Sequence, residues 1–128
     1  MLFYLEERDN DFFNVCEKIH KEYRGSYISV RELTEKAIYH PAESFYILPG
    51  EIMKLTKLIS KGQKLTSAYQ SRQELYTYIE NRYREISQED PTLKSHQIAR
   101  IIYSERAPRF YISPKRALTI YYSMIKSK

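Results

Sequence analysis

Apolar side chains return every three or four positions along most of this chain, which is the spacing of helices with one buried face. Phe12, Cys16 and Ile19 show this spacing early in the sequence. Glycine is rare, with 3 in 128 residues, so few positions interrupt a helix. The pattern predicts six helices, near 10–24, 30–39, 49–61, 71–86, 93–104 and 114–125. The first five residues stay open between a strand and a frayed arm.

The predicted helix ends carry residues that satisfy unpaired backbone groups. The S-x-x-E sequences at 29–32 and 71–74 predict capping boxes, in which the serine and glutamate side chains each accept a bond from a backbone N–H. Ser113 is a suitable N-cap, and Pro114 suits a first helical position because its missing N–H is not needed there. Gly62 favours the end of the third helix.

Two parts of the sequence resemble each other. Phe-Tyr-Ile-Leu-Pro at 45–49 returns as Phe-Tyr-Ile-Ser-Pro at 110–114, and the apolar positions after both prolines keep the same spacing. Such internal similarity indicates one supersecondary unit built twice. We therefore predict an all-α protein of two tandem pseudo-repeats, each of about three helices and helix-turn-helix-like, packed as one compact domain. The repeats would span 1–64 and 65–128.

The links before the third helix of each repeat are unusual. About nine residues separate the second helix from the third, whereas a helix-turn-helix motif normally uses a turn of three or four. Phe45 and Phe110 hold matching positions in these links and are predicted to plug the core. Tyr46 and Tyr111 follow them and are expected near the surface, since side chains of an extended link alternate in direction.

Charge is divided unevenly along the sequence. Residues 1–64 hold ten basic and ten acidic side chains, whereas 65–128 hold eleven and six, which accounts for the net charge of +5. From Pro91 onward eight lysines or arginines stand against one acid, Glu105. A field of one sign attracts polyanions, and each phosphate contact of a nucleic acid releases a counterion. The basic second half therefore favours nucleic acid as the partner.

The predicted third helices place basic and polar side chains opposite their apolar faces. Such a helix suits a DNA major groove, as in helix-turn-helix proteins, and the start of the last helix adds a dipole that favours phosphate. Lysine and arginine would hold phosphates, while threonine and tyrosine would approach base edges. The predicted DNA-binding residues are Arg106, Arg109, Lys115, Arg116, Thr119, Tyr122 and Lys126 in the second repeat and Lys54, Lys57 and Lys61 in the first. The predicted function is that of a small DNA-binding regulatory or accessory protein.

Two other partners stay open. The chain has 13 tyrosines and no tryptophan, and tyrosine suits protein interfaces because its ring is rigid and its hydroxyl tolerates water. In that case the protein is an adaptor that docks another protein or a second copy of itself. Alternatively, Tyr46 and Tyr111 stack on unpaired bases, and the protein binds RNA.

Catalytic and metal-binding patterns are missing from the sequence. His20, His40 and His96 have no second ligand at metal-binding spacing, and the single Cys16 excludes an internal disulfide. No Gly-rich phosphate loop or Gly-flanked nucleophilic serine occurs. We expect no enzymatic activity, no cofactor and no metal. Without a basic leader or an apolar run of roughly 20 residues, the expected location is cytoplasmic, with no membrane segment.

Overall fold

The computed structural model describes residues 3–127, with side chains from Tyr4 to Ser127. Within this range the chain forms six α-helices and no strand, which confirms the predicted all-helical class. The helices are α1 (Phe3–Glu22), α2 (Val30–Ile38), α3 (Pro49–Ser60), α4 (Gln70–Glu89), α5 (Ser95–Ser104) and α6 (Pro114–Lys126).

The first helix is longer than the sequence pattern indicated. It begins at Phe3 rather than near residue 10, because the half-buried Tyr4, Leu5 and Arg8 continue the inward face that leads to Phe12. Part of the segment left open between a strand and an arm is therefore helical. Its first two residues lie outside the described range.

The serine half of the predicted capping box at 29–32 and the predicted N-cap at Ser113 are confirmed, whereas no return bond from the Ser29 N–H to the Glu32 side chain is among the described contacts. The hydroxyl of Ser29 accepts from the backbone N–H of Glu32 at 3.1 Å, and that of Ser113 accepts from Arg116 at 3.1 Å. Each bond satisfies one of the otherwise unpaired donors at a helix start. Gly62 ends α3 as predicted, in the left-handed conformation (φ 80°) that glycine adopts without a steric penalty.

The predicted capping box at Ser71 and Glu74 is wrong. Helix α4 begins one residue earlier, at Gln70, and its N-cap makes no side-chain hydrogen bond. Gln73 fastens the incoming chain instead: its side chain accepts from the backbone N–H of Ser67 at 2.8 Å and donates to the carbonyl of Leu65 at 3.2 Å. The segment before α4 is thus fixed along the helix rather than capped at its end.

The helices group into two compact units that are not consecutive in sequence. Unit 1 contains α1, α2 and α6, and unit 2 contains α3, α4 and α5. Unit 2 is the continuous segment Ile47–Glu105, and unit 1 comprises the described residues before and after it. The predicted halves 1–64 and 65–128 rest on sequence similarity and stay a prediction. In space, α3 groups with α4 and α5, and α6 groups with α1 and α2.

Aromatic packing closes the core of unit 1. Phe12 of α1 meets Phe110 edge to face, with ring centroids 5.3 Å apart, and both side chains are buried. The backbone N–H of Phe110 also donates to the carbonyl of Ile38 at 2.8 Å. Phe110 therefore plugs the core as predicted, and so does the buried Phe45. This packing fastens the last 22 described residues to the first two helices.

The long links have a structural explanation. The chain leaves unit 1 after Tyr46 and returns at Arg106, so the link after α2 carries it into another unit instead of turning back. The two links touch at matching positions, where the N–H of Ala42 donates to the carbonyl of Ala107 at 3.0 Å. A turn of three or four residues does not suit this path.

Tyr46 ends the unit 1 part of the first link in a strained conformation. Its φ of 54° is left-handed, which costs a non-glycine residue about 1–2 kcal/mol. The phenol donates to Oδ2 of Asp11 at 2.5 Å, and the N–H of Glu43 donates to the same oxygen at 2.9 Å. Bonds to a carboxylate are worth about 1.5–3 kcal/mol each, enough to offset the strain. Burial and the bond to Asp11 together raise the pKa of Tyr46.

Unit 2 is stabilised by polar contacts along α4. Arg82 forms a forked ion pair with Glu105, at 2.9 Å from Nε to Oε1 and 2.6 Å from Nη2 to Oε2. This bond raises the pKa of the Arg82 guanidinium. The carboxylate of Glu80 accepts from the backbone N–H of the buried Leu65 at 3.1 Å. The connector between α3 and α4 is therefore part of unit 2.

Phe12→Ala tests the aromatic core of unit 1. Removing a fully buried ring loses its transfer free energy and leaves a cavity, so we expect the free energy of unfolding to fall by about 3–5 kcal/mol in urea titrations. Tyr27→Ala is the control, because that side chain is 89% exposed and its loss should change stability by no more than about 0.5 kcal/mol. Equal effects of the two substitutions would contradict the assigned core.

Alkaline pH tests the burial of Cys16. Burial, with the charge of Glu17 as a smaller cause, raises the pKa of this thiol from 9.0 to about 12. As the pH rises, the thiol of the unfolded chain releases its proton first. The contribution of this thiol to the free energy of unfolding is therefore complete below pH 9 and is lost between pH 9 and 12. The slope contributed by one group is at most about 1.4 kcal/mol per pH unit.

Cys16→Ala and Cys16→Ser should both flatten the dependence of unfolding free energy on pH between 9 and 10, before the tyrosines of the unfolded chain ionise. The slope is the measured quantity, since either substitution also changes the stability at neutral pH. An unchanged slope in both variants would show that the thiol is not shielded as described.

Candidate nucleic-acid interface

The ten predicted DNA-binding residues divide between the two units, seven in unit 1 and three in unit 2. In unit 1, helix α6 buries Ala117, Ile120 and Tyr121 against α1 and α2. Its predicted contact residues lie on the opposite face and are all exposed. They are Lys115, Arg116, Thr119, Tyr122 and Lys126, and we call them the α6 outer face.

The start of α6 combines a good cap with unfavourable charge. Ser113 caps the helix, Pro114 occupies its first turn, and no acidic residue lies there. Lys115 and Arg116 instead face the positive end of the helix dipole, which opposes helix formation by roughly 0.3–1 kcal/mol per charge. By contrast, α2 places Glu32 in its first turn. A local conflict of this kind is expected where function rather than stability selects the residues.

Among the described residues, no carboxylate lies within 4 Å of a charged group of the α6 outer face. In the part of the chain that the structure describes, ion pairs within 4 Å are made by four arginines, Arg8, Arg72, Arg82 and Arg106. Lys115, Arg116 and Lys126 form none within the same residues. The only acid after Pro91, Glu105, is engaged by Arg82 in unit 2. The basic side chains of α6 are thus available to an anion from outside.

Arg106 lies in the link before α6 and has a weak partner. It contacts Glu43 at 3.1 Å, and both side chains are more than 60% exposed. Exposed pairs of this kind contribute little to stability because solvent screens them. A phosphate can therefore replace the carboxylate at Arg106.

Arg109 is held differently, between two aromatic rings. Its guanidinium carbon lies 4.4 Å from the ring centroid of Tyr39 and 5.2 Å from that of Tyr111, and its Nε donates to the carbonyl of Phe110 at 3.2 Å. Tyr111 in turn stacks on Phe45, with centroids 6.4 Å apart and rings within 10° of parallel. We call Tyr39, Arg109, Tyr111 and Phe45 the stacked column.

The two link tyrosines are not the free surface rings that the RNA alternative requires. Tyr46 is half-buried and its hydroxyl binds Asp11, while Tyr111 is half-buried inside the stacked column. The exposed ring of this region is Tyr39, which sequence reasoning grouped only with the general supply of tyrosines. Nothing in the sequence pairs Tyr39 with Arg109, because the two residues are far apart along the chain.

The remaining predicted residues, Lys54, Lys57 and Lys61, are exposed on or directly after α3 in unit 2. Beyond Lys61 an open groove of about 640 Å³ runs between the end of α3, the connector and α4. Lys64 and Arg84 line this groove. The basic surface of unit 2 thus extends past the predicted lysines.

The structure also bears on metals and membranes. Among residues 3–127, no three or more His, Cys, Asp or Glu side chains are grouped so that they could hold a metal ion. None of the helices in that range has both the length and the apolar character needed to cross a bilayer.

Comparison with protein families, curated proteins and solved structures gives no match to this chain.

Ser113→Ala tests how the α6 outer face is positioned. Loss of the hydroxyl leaves the N–H of Arg116 unpaired, so we expect the free energy of unfolding to fall by about 1 kcal/mol. Ser113→Asn is the matched control, because asparagine caps helices as well as serine does. Chemical denaturation that ranked asparagine no better than alanine would mean that the cap does not hold this helix start.

Proposed function

We propose that the protein binds double-stranded DNA non-enzymatically, as a regulatory or accessory factor, with the α6 outer face as its main contact. The observation that carries the proposal is the exposed, carboxylate-free face of α6, which begins with two cations at a capped helix N-terminus. Backbone N–H groups and the helix dipole favour phosphate at such a position.

The arrangement of unit 1 supports a groove-binding geometry. Helix α6 lies against α1 and α2 through its apolar side and presents the other side to solvent, as the recognition helix of a helix-turn-helix protein does. Lys115, Arg116 and Lys126 contact phosphates, and Arg106 joins them after releasing Glu43. Thr119 and Tyr122 are exposed between these cations and reach base edges.

The predicted tandem pseudo-repeats extend this proposal to the basic surface of unit 2. The lysines of α3, with Lys64 and Arg84 beside them, form the corresponding basic surface in unit 2. In the predicted repeats α3 corresponds to α6. Helix α3 packs with two helices of the second repeat, and α6 packs with two helices of the first. Each unit then offers one basic helix to DNA.

The adaptor alternative rests on exposed tyrosines. Tyr27 and Tyr69 are 89% and 77% exposed, in unit 1 and unit 2 respectively, and rings of this kind serve as anchors in protein interfaces. DNA binding is favoured because the α6 outer face concentrates positive charge, whereas interface cores are depleted of charged residues.

Salt dependence of duplex binding tests the proposal. Lys115→Ala combined with Arg116→Ala should weaken binding to mixed-sequence duplexes alike and reduce the slope of log affinity against log salt by about 1.8, the value for two lost phosphate contacts. Fluorescence anisotropy between 50 and 200 mM salt, roughly the range in which such effects are large, gives this slope.

The control is Lys18→Ala with Lys21→Ala, which removes two exposed charges from α1 and lowers the net charge equally. This pair should leave the slope nearly unchanged. If both double variants lost the same amount of affinity and slope, the binding would depend on net charge alone and not on the α6 outer face. Absence of any duplex binding at low salt would reject the proposal and leave the adaptor as the better description.

A further inference from the structure

The stacked column mounts an exposed aromatic ring beside the proposed DNA-binding helix. Tyr39 is 67% exposed, and the guanidinium of Arg109 covers one face of its ring at 4.4 Å. The side chain as a whole therefore remains largely open to solvent. Arg109 is itself held by Tyr111 and by the carbonyl of Phe110, so the cation beneath Tyr39 has a defined position.

The column is absent from the corresponding place in the other half of the sequence. Ile38-Tyr39 corresponds to Ile102-Tyr103, but Arg109 corresponds to Ser44, and no guanidinium lies over Tyr103 among the described contacts. Tyr103 is exposed as well, at 41%, so exposure alone does not bring an arginine onto the ring. The link that leads into α6 has acquired a specific partner for Tyr39.

We propose that Tyr39 is a stacking platform for an unpaired nucleobase, so that unit 1 recognises DNA where a duplex passes into a single strand. This inference rests on the proposed DNA binding and extends it to the kind of DNA. Bases stack readily on aromatic rings, and a guanidinium on the far side of the ring adds a cation–π contribution. A base on the open face of Tyr39 continues the column by one layer.

Charge favours this occupant over a protein segment. Arg106 lies in the same link as Arg109, and Lys115 and Arg116 begin the helix after it, so the residue that contacts Tyr39 belongs to a basic segment. The column also ends at the buried Phe45, which makes the platform a rigid extension of the core. Rigid mounting lowers the ordering entropy that stacking otherwise costs.

A duplex with a short 3′ or 5′ overhang, carrying 2-aminopurine at the first unpaired position, tests the inference against a blunt duplex. We expect the wild type to bind one overhang duplex about tenfold more tightly than the blunt one, and to quench the 2-aminopurine by stacking. Tyr39→Phe retains the ring and should keep both effects. Tyr39→Ala should lose both, with blunt-duplex affinity unchanged.

Tyr103→Ala is the matched control and should behave as the wild type. Blunt-duplex binding with no Tyr39-dependent gain from an overhang overturns the inference and leaves the proposed function standing. Binding to neither probe rejects both. The double variant Lys115→Ala with Arg116→Ala should bind the overhang duplex more weakly. If the 2-aminopurine in each bound complex is still quenched, the phosphate contacts are separate from the platform, which supports the inference.

Discussion

The contact between Phe12 and Phe110 is the interaction on which the rest of the structure depends. It joins the first helix to a segment almost a hundred residues later, and the bond from Phe110 to the carbonyl of Ile38 adds the second helix to the same junction. Helix α6 is held in unit 1 by this packing. The buried residues Ala117, Ile120 and Tyr121 of α6 add to this packing, so the outer face of the helix is turned to solvent.

Lysine and arginine have separate roles in this molecule. The described ion pairs use arginines, whose planar guanidinium matches a carboxylate or a ring, as Arg82 and Arg109 show. The lysines of α3 and α6 make no such pairs within the described residues and extend into solvent. Arginine therefore makes the described ion pairs and ring contacts, while lysine, together with Arg116, forms the basic surface of α3 and α6.

Local features were predictable from the sequence, and the choice of packing partners was not. Apolar periodicity, Ser29 and Ser113 located the helices and two caps, because these depend on residues within one or two turns. The box at Ser71 failed because α4 begins at Gln70, which places Ser71 inside the first turn rather than at the N-cap. The residues of the α6 outer face could be named, but their helix could not be assigned to unit 1, because apolar periodicity shows which side of a helix is buried and not which helices cover it. The contact between Tyr39 and Arg109 depends on the packing of α2 with the link before α6, so it could not be predicted from the sequence either.

The discontinuity of unit 1 has a consequence during translation. The middle segment Ile47–Glu105 carries all the helices of unit 2 and is synthesised before α6, the last helix of unit 1. Helices α1 and α2 are synthesised before unit 2, yet the apolar surface around Phe12 is not covered until Phe110 and α6 have followed. Apolar surface that is exposed in an incomplete chain favours aggregation, and a polypeptide truncated after α5 would retain this surface uncovered.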